Sequence, residues 1–142
     1  MEDVNSLSVP VRHVVTCFIL HNGRVLLLKR SKSVGSFRGR WAGVSGFIET
    51  EPLDQAIKEI QEETGLKRED FKLLKTGDTL TARDAGYDWV VHPFLFELVT
   101  EERIRLDWEH DESCWIKPAD MKRYRTVPLL EEVFNQVYPI FD

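Results

Sequence analysis

Apolar and β-branched residues fill HVVTCFIL (13–20), stop at His21-Asn22-Gly23, and resume in RVLLLKR (24–30). Two such runs separated by Asn-Gly predict a pair of strands joined by a tight hairpin turn. The stretch SKSVGSFRGRWAGVSG (31–46) breaks the pattern with repeated glycines and basic residues, and predicts a long, backbone-rich loop ending in a short strand. From Pro52 the period becomes helical: Leu53, Ala56, Ile57, Ile60 and Thr64 recur at i, i+3, i+4, i+7 and i+11. Pro52 suits a first helical turn, Gly65 a left-handed stop, and Leu66 the apolar residue that follows such a stop.

Beyond the helix, FKLLKTGDTLTA (71–82) and DWVVHPFLFELV (88–99) read as strands, the second rich enough in β-branched and aromatic residues to enter the sheet interior. Pro93 marks an edge or a bulge within it. RIRLDW and ESCWIK predict short strands flanking the acidic loop EHDE. Helical spacing returns at Val127, Leu130, Val133, Phe134 and Val137, predicting a terminal helix packed on the sheet. One early helix, one late helix and a mixed sheet make an α/β sandwich.

Length and composition narrow the class. The 142 residues, 42% hydrophobic and 30% charged, suit one compact domain with its own core. No apolar run approaches the ~18 residues of a membrane helix, and the first ten residues lack a signal-peptide pattern, so a cytoplasmic protein is expected. Cys17 and Cys114 have no metal-knot spacing and read as reduced thiols. A net charge of −5 argues against general nucleic-acid binding.

The helix carries a cost. Glu59, Glu62 and Glu63 stand at i, i+3 and i+4, sharing a face beside the apolar stripe. A solvated acidic face is the ordinary fate of such residues. Near a helix C-terminus, however, each carboxylate opposes the macrodipole by ~0.3–1 kcal/mol, and the Glu59/Glu63 pair adds a few tenths. Only Glu63 has a basic i+4 neighbour, Lys67. Clustered hard oxygen donors suit Mg²⁺ or Mn²⁺.

Here KEIQEETGL resembles the second half of the Nudix hydrolase box, G-x5-E-x7-R-E-U-x-E-E-x-G-U, through Glu59, Ile60, Glu62, Glu63, Gly65 and Leu66. Counting back from Gly65, the opening glycine of the box falls on Val44, and Gly46 is the plausible equivalent. The box is therefore two residues short, and the simplest alignment puts that deletion in the loop before Pro52. Either Glu49 or Glu51 then matches the loop glutamate. Lys58 replaces the box arginine, keeping the charge without the planar fork. VVTCFILHNGRVLLLKRS is similar to the family's opening hairpin, GRWAGVSGFIE to its Trp-Gly approach with Ser45 for one glycine, and EHDESCWI to a late E-x-x-W element through Glu112 and Trp115.

The resemblance implies a Nudix-type α/β/α sandwich with a mixed central β-sheet, one domain over 1–142 with an extension at 1–12. It implies a metal-dependent pyrophosphohydrolase cleaving a diphosphate linkage in a nucleoside diphosphate derivative or nucleoside triphosphate. Glu59, Glu62 and Glu63 would hold Mg²⁺ or Mn²⁺, Glu63 or Glu112 would serve as general base, and Gly46 and Glu49 would form the substrate loop. Arg30, Arg38 and Arg40 are placed to bind phosphates by charge-assisted bonds, with Lys32 a surface charge. Trp41, Trp89, Phe94 and Phe96 are either base-stacking or core residues. A nucleotide-type small molecule is the expected partner, without a membrane, and family members are often homodimers. Two other readings carry the same fold: a nucleotide-sensing or partner-binding module that hydrolyses little, and a relative of isopentenyl diphosphate isomerase, suggested by the LLLxxRS-like strand.

Overall fold

A computed structural model describes residues 9–139. The extension expected at 1–12 lies outside the described residues over 1–8, while Val11 and Arg12 already belong to the first strand.

The opening hairpin forms as its pattern requires, with β1 at Val11–His21 and β2 at Arg24–Arg30. Asn22 and Gly23 take φ of 51° and 75°, the two left-handed residues of a tight turn whose twist matches the strands. Two short strands, β3 (Trp41–Ala42) and β4 (Val44–Phe47), follow the loop and pair with β2 and β1 respectively. Helix α1 spans Pro52–Thr64 and ends at Gly65, whose φ of 73° lets its N–H reach the Gln61 carbonyl.

The segment expected as one strand after the helix is two, β5 (Phe71–Thr76) and β6 (Leu80–Asp84). Both pair with the long β7 (Tyr87–Leu98), which also runs parallel to β1. Pro93 sits at the break between them. Its carbonyl accepts the Gly77 N–H at 3.0 Å, so its missing donor faces a gap in the ladder. A side chain at Gly77 would collide with the Gln136 carbonyl, which fixes where the break falls.

RIRLDW does not form the expected strand, and the acidic residues do not form a separate loop. β8 begins at His110 and runs to Ile116; His110 and Glu112 pair with Arg30 and Lys29 of β2, and Asp111 falls at the register shift between them. The preceding segment is drawn to the end of α1: the Arg105 N–H donates to Thr64 O at 2.7 Å, its guanidinium reaches Gly65 O at 3.4 Å, and Ile104 and Leu106 pack on the core. A cation from a distant loop thus meets the free carbonyls at the acidic end of the helix.

The eight strands form one mixed sheet with two apolar faces. On one, Val15, Cys17, Ile19, Leu26, Leu28, Phe94 and Phe96 meet Ala56 and Ile60 of α1. On the other, Phe18, Leu20, Val25, Leu27 and Leu95 meet Leu130, Val133 and Phe134 from the terminal helix α2 (Leu130–Phe134). Alternation along β1, β2 and β7 feeds both layers, giving the α/β/α sandwich expected.

Candidate active site

The buried face of α1 is rotated from the one its apolar spacing predicts. Leu53 is exposed, whereas Gln55, Ala56, Ile60, Glu63 and Thr64 are buried. Successive helical residues differ by about a quarter turn, so this rotation separates the three glutamates. Glu63 is 1% exposed, Glu59 half-buried and Glu62 exposed.

Glu59 lies against the backbone of β4. A Cβ on Gly46 would overlap its carboxyl group, so glycine is what lets the strand and the carboxylate approach. Gln55, one turn earlier, donates from Nε2 to Glu59 Oε2 at 2.7 Å and accepts the Glu49 N–H at 3.0 Å. The loop before α1 is thereby tied to the helix through one amide. Glu62 turns outward to Lys58, whose Nζ lies 3.9 Å from both Glu62 and Glu49. Lys58 therefore spans loop and helix at long range, without bidentate contact.

Glu63 is the most perturbed group. Burial, then a hydrogen bond with Glu59, then the charges of Glu109, Glu59 and Asp107 push its pKa up to about 10. Its Oε2 is buried with no hydrogen-bond partner, and its Oε1 lies 3.7 Å from His110 Nε2. That spacing suits an ion pair, but burial also holds the His110 imidazole below its usual range, against the pull of Asp107 at 2.9 Å. Both shifts favour the uncharged forms, so the contact is a polar one.

The sequence reading missed Glu109, Asp107 and His110. Glu109 is held above the usual carboxylate range by burial and by Asp107 and Glu59, with Arg30 opposing. The Arg30↔His110 register brings the end of β2 and the start of β8 together, and only that pairing places 107–110 beside the helix. Glu112, singled out by its spacing to Trp115, forms an exposed 3.2 Å pair with Lys29. Arg30 and Arg38 donate to loop carbonyls at Ser36 and Val34, and Arg40 reaches Thr126 O. Of the aromatics, Phe94 and Phe96 are core, Trp41 packs on Tyr124, and Trp89 lies between Phe47 and Tyr87.

Among the described residues, no three His, Cys, Asp or Glu side chains stand gathered as a finished metal cage. The donor chemistry nevertheless fits a hard divalent cation: an orphaned buried carboxyl oxygen on Glu63, with the Glu59 and Glu109 carboxyl groups near enough to raise its proton affinity.

Three solved structures share this architecture. The C. elegans Ap4A hydrolase is 19% identical, with 89% of this chain and 94% of that chain covered at a TM-score of 0.73. The MutT protein of Methanosarcina mazei Go1 is 20% identical, covering 90% and 93% at 0.76. The NUDIX domain of Shewanella oneidensis NrtR, solved with ADP ribose, is 21% identical, covering 95% and 90% at 0.68. At these identities they establish the fold, while the family model for the NUDIX domain matches residues 10–137. With that match spanning nearly the whole described chain, the chain belongs to the NUDIX domain family.

Proposed function

We propose that this Nudix-type hydrolase is a metal-dependent pyrophosphohydrolase that cleaves a diphosphate linkage in a nucleoside diphosphate derivative or nucleoside triphosphate. The observation that carries the reading is Glu63 Oε2, a buried carboxyl oxygen without a partner beside a second carboxylate. A fold retains such a group at a cost of about 1–3 kcal/mol when something else uses it.

Glu59, Glu62 and Glu63 would hold Mg²⁺ or Mn²⁺. Bound there, the cation would neutralise phosphate charge and favour in-line attack by water. The chain's own residues do the rest. Gln55 holds Glu59 in place and fixes the loop at Glu49. Arg30, at the end of β2, sets positive charge beside Glu109 and the phosphates, and Arg38 and Arg40 extend that charge along the loop. Glu109 is the candidate base that the fold adds to Glu63 and Glu112: its raised affinity for protons suits a group that takes one from water. The substrate is a nucleotide-type small molecule, the relatives' Ap4A and ADP-ribose being members of that class.

The test is phosphate-product release with Mg²⁺ from a panel of nucleoside triphosphates, dinucleoside polyphosphates, ADP-ribose and nucleotide sugars. Turnover of at least one, reduced by E63Q and E59Q, is expected. E109Q should lower kcat and alter its pH profile, while E112Q should leave both near wild type. No turnover of any substrate would reject the reading, and the reverse order of the last two variants would reject Glu109.

A further inference from the structure

Of the four tryptophans, Trp108 alone is exposed, at 68%, and is the most exposed large apolar residue described. The other three are half-buried and make ring contacts, with Phe47 and Tyr87, with Tyr124 or with His21. The Trp108 ring has no ring contact and its indole N–H no hydrogen bond among the described residues.

Its backbone, by contrast, is fastened. The buried Ser31 donates from Oγ to Trp108 O at 2.9 Å and from its N–H to Glu109 O at 2.8 Å. Asp107 holds His110 by a 2.9 Å side-chain bond and accepts its N–H at 3.3 Å. Four consecutive residues, 107–110, are therefore locked to the end of β2. A locked turn that carries an unpacked indole is preorganised for a ligand rather than for the core.

Two residues on, His110 Nε2 lies 3.7 Å from Glu63 Oε1. The turn that carries the ring thus meets a carboxyl group that would hold the metal, and its backbone shares Ser31 with the basic loop, where the Ser33 N–H donates to Ser31 Oγ at 3.1 Å. In a nucleotide, the base lies one sugar ring from its phosphates. We infer that the Trp108 indole is a stacking platform for the nucleobase, which makes Trp108 a specificity-determining residue for nucleotides over base-free diphosphates. The inference rests on the pyrophosphohydrolase reading for the position of the phosphates.

Binding of α,β-methylene-ADP and of base-free methylenediphosphonate, each with Mg²⁺, tests it by calorimetry on the whole chain. W108A should weaken the nucleotide about five- to 150-fold, the range of one lost base–aromatic stack, and leave methylenediphosphonate unchanged. W108F should restore most of the loss. With hydrolysable substrates the defect should fall on KM rather than kcat, and nucleotide should quench an emission component that W108F lacks. Equal weakening of both ligands, no weakening of either, or no nucleotide binding by the wild type would overturn the inference. So would a change from dimer to monomer in W108A with nucleotide affinity intact, which would make the ring an interface residue. If the wild type binds both compounds and hydrolyses no substrate, the hydrolase reading fails while the stacking result still stands.

Discussion

Replacing Glu63 by glutamine separates what the buried carboxyl does for stability from what it does for function. The folded protein holds its proton up to about pH 10, whereas the free group releases it near 4.5. Between those values the native state binds one proton that the unfolded state has lost, so stability falls as pH rises. The slope is about 1.4 kcal/mol per pH unit for one proton. Raising metal-free protein from about pH 5 to about pH 7 should therefore cost wild type about 3 kcal/mol more than E63Q, as an upper bound. Glutamine is nearly isosteric and equally uncharged, so packing around His110 should change little. The assay is urea denaturation of both proteins in chelator at the two pH values, where other titrating groups cancel in the difference. E63Q should be the more stable protein at neutral pH and should lose most of the stabilisation that Mg²⁺ gives wild type. Parallel stability profiles for the two proteins would show that Glu63 is ionised in the metal-free fold and would refute the reasoning.

Two further substitutions probe how the site is held. Gly46→Ala places a methyl group on the Glu59 carboxyl, and should lower stability by about 1–3 kcal/mol and weaken the Mg²⁺-dependent rise in Tm; unchanged Mg²⁺ stabilisation would count against the close approach. Gln55→Ala leaves the Glu49 N–H and Glu59 Oε2 without their shared partner, with an expected loss of about 1–3 kcal/mol in urea denaturation and reduced turnover. The exposed Lys29–Glu112 pair should behave differently: its removal should change stability by no more than about 1 kcal/mol, measured by a double-mutant cycle.

Much of the architecture was legible because its signals are local. Asn22-Gly23 set the hairpin, Pro52 and Gly65 bounded the helix, and the apolar spacing near Leu130, Val133 and Phe134 announced a second helix. Failures came where a distant partner decided the outcome. RIRLDW has strand-like alternation, but Thr64 and Gly65 at the end of α1 claim its backbone and Arg105. FKLLKTGDTLTA is continuous in propensity, yet Gly77 must pass under Gln136 and Pro93 offers no donor there. A missing hydrogen-bond donor and a close contact outweigh a preference worth about 1 kcal/mol at most.

The candidate site divides along the same line. The sequence by itself determined that Glu59, Glu62 and Glu63 share one helix, because i, i+3 and i+4 spacing follows from 3.6 residues per turn. Only the tertiary structure decided that they are unequal. The sheet packs on one side of α1, so Glu63 loses its water, Glu59 keeps part, and Glu62 keeps most. Likewise, the spacing to Trp115 singles out Glu112 from the chain alone, and only the pairing of Arg30 with His110 adds Glu109 as a second candidate near Glu59. Burial and long-range charge depend on which segments fold against each other, and a pattern along the chain fixes only the neighbours within one element.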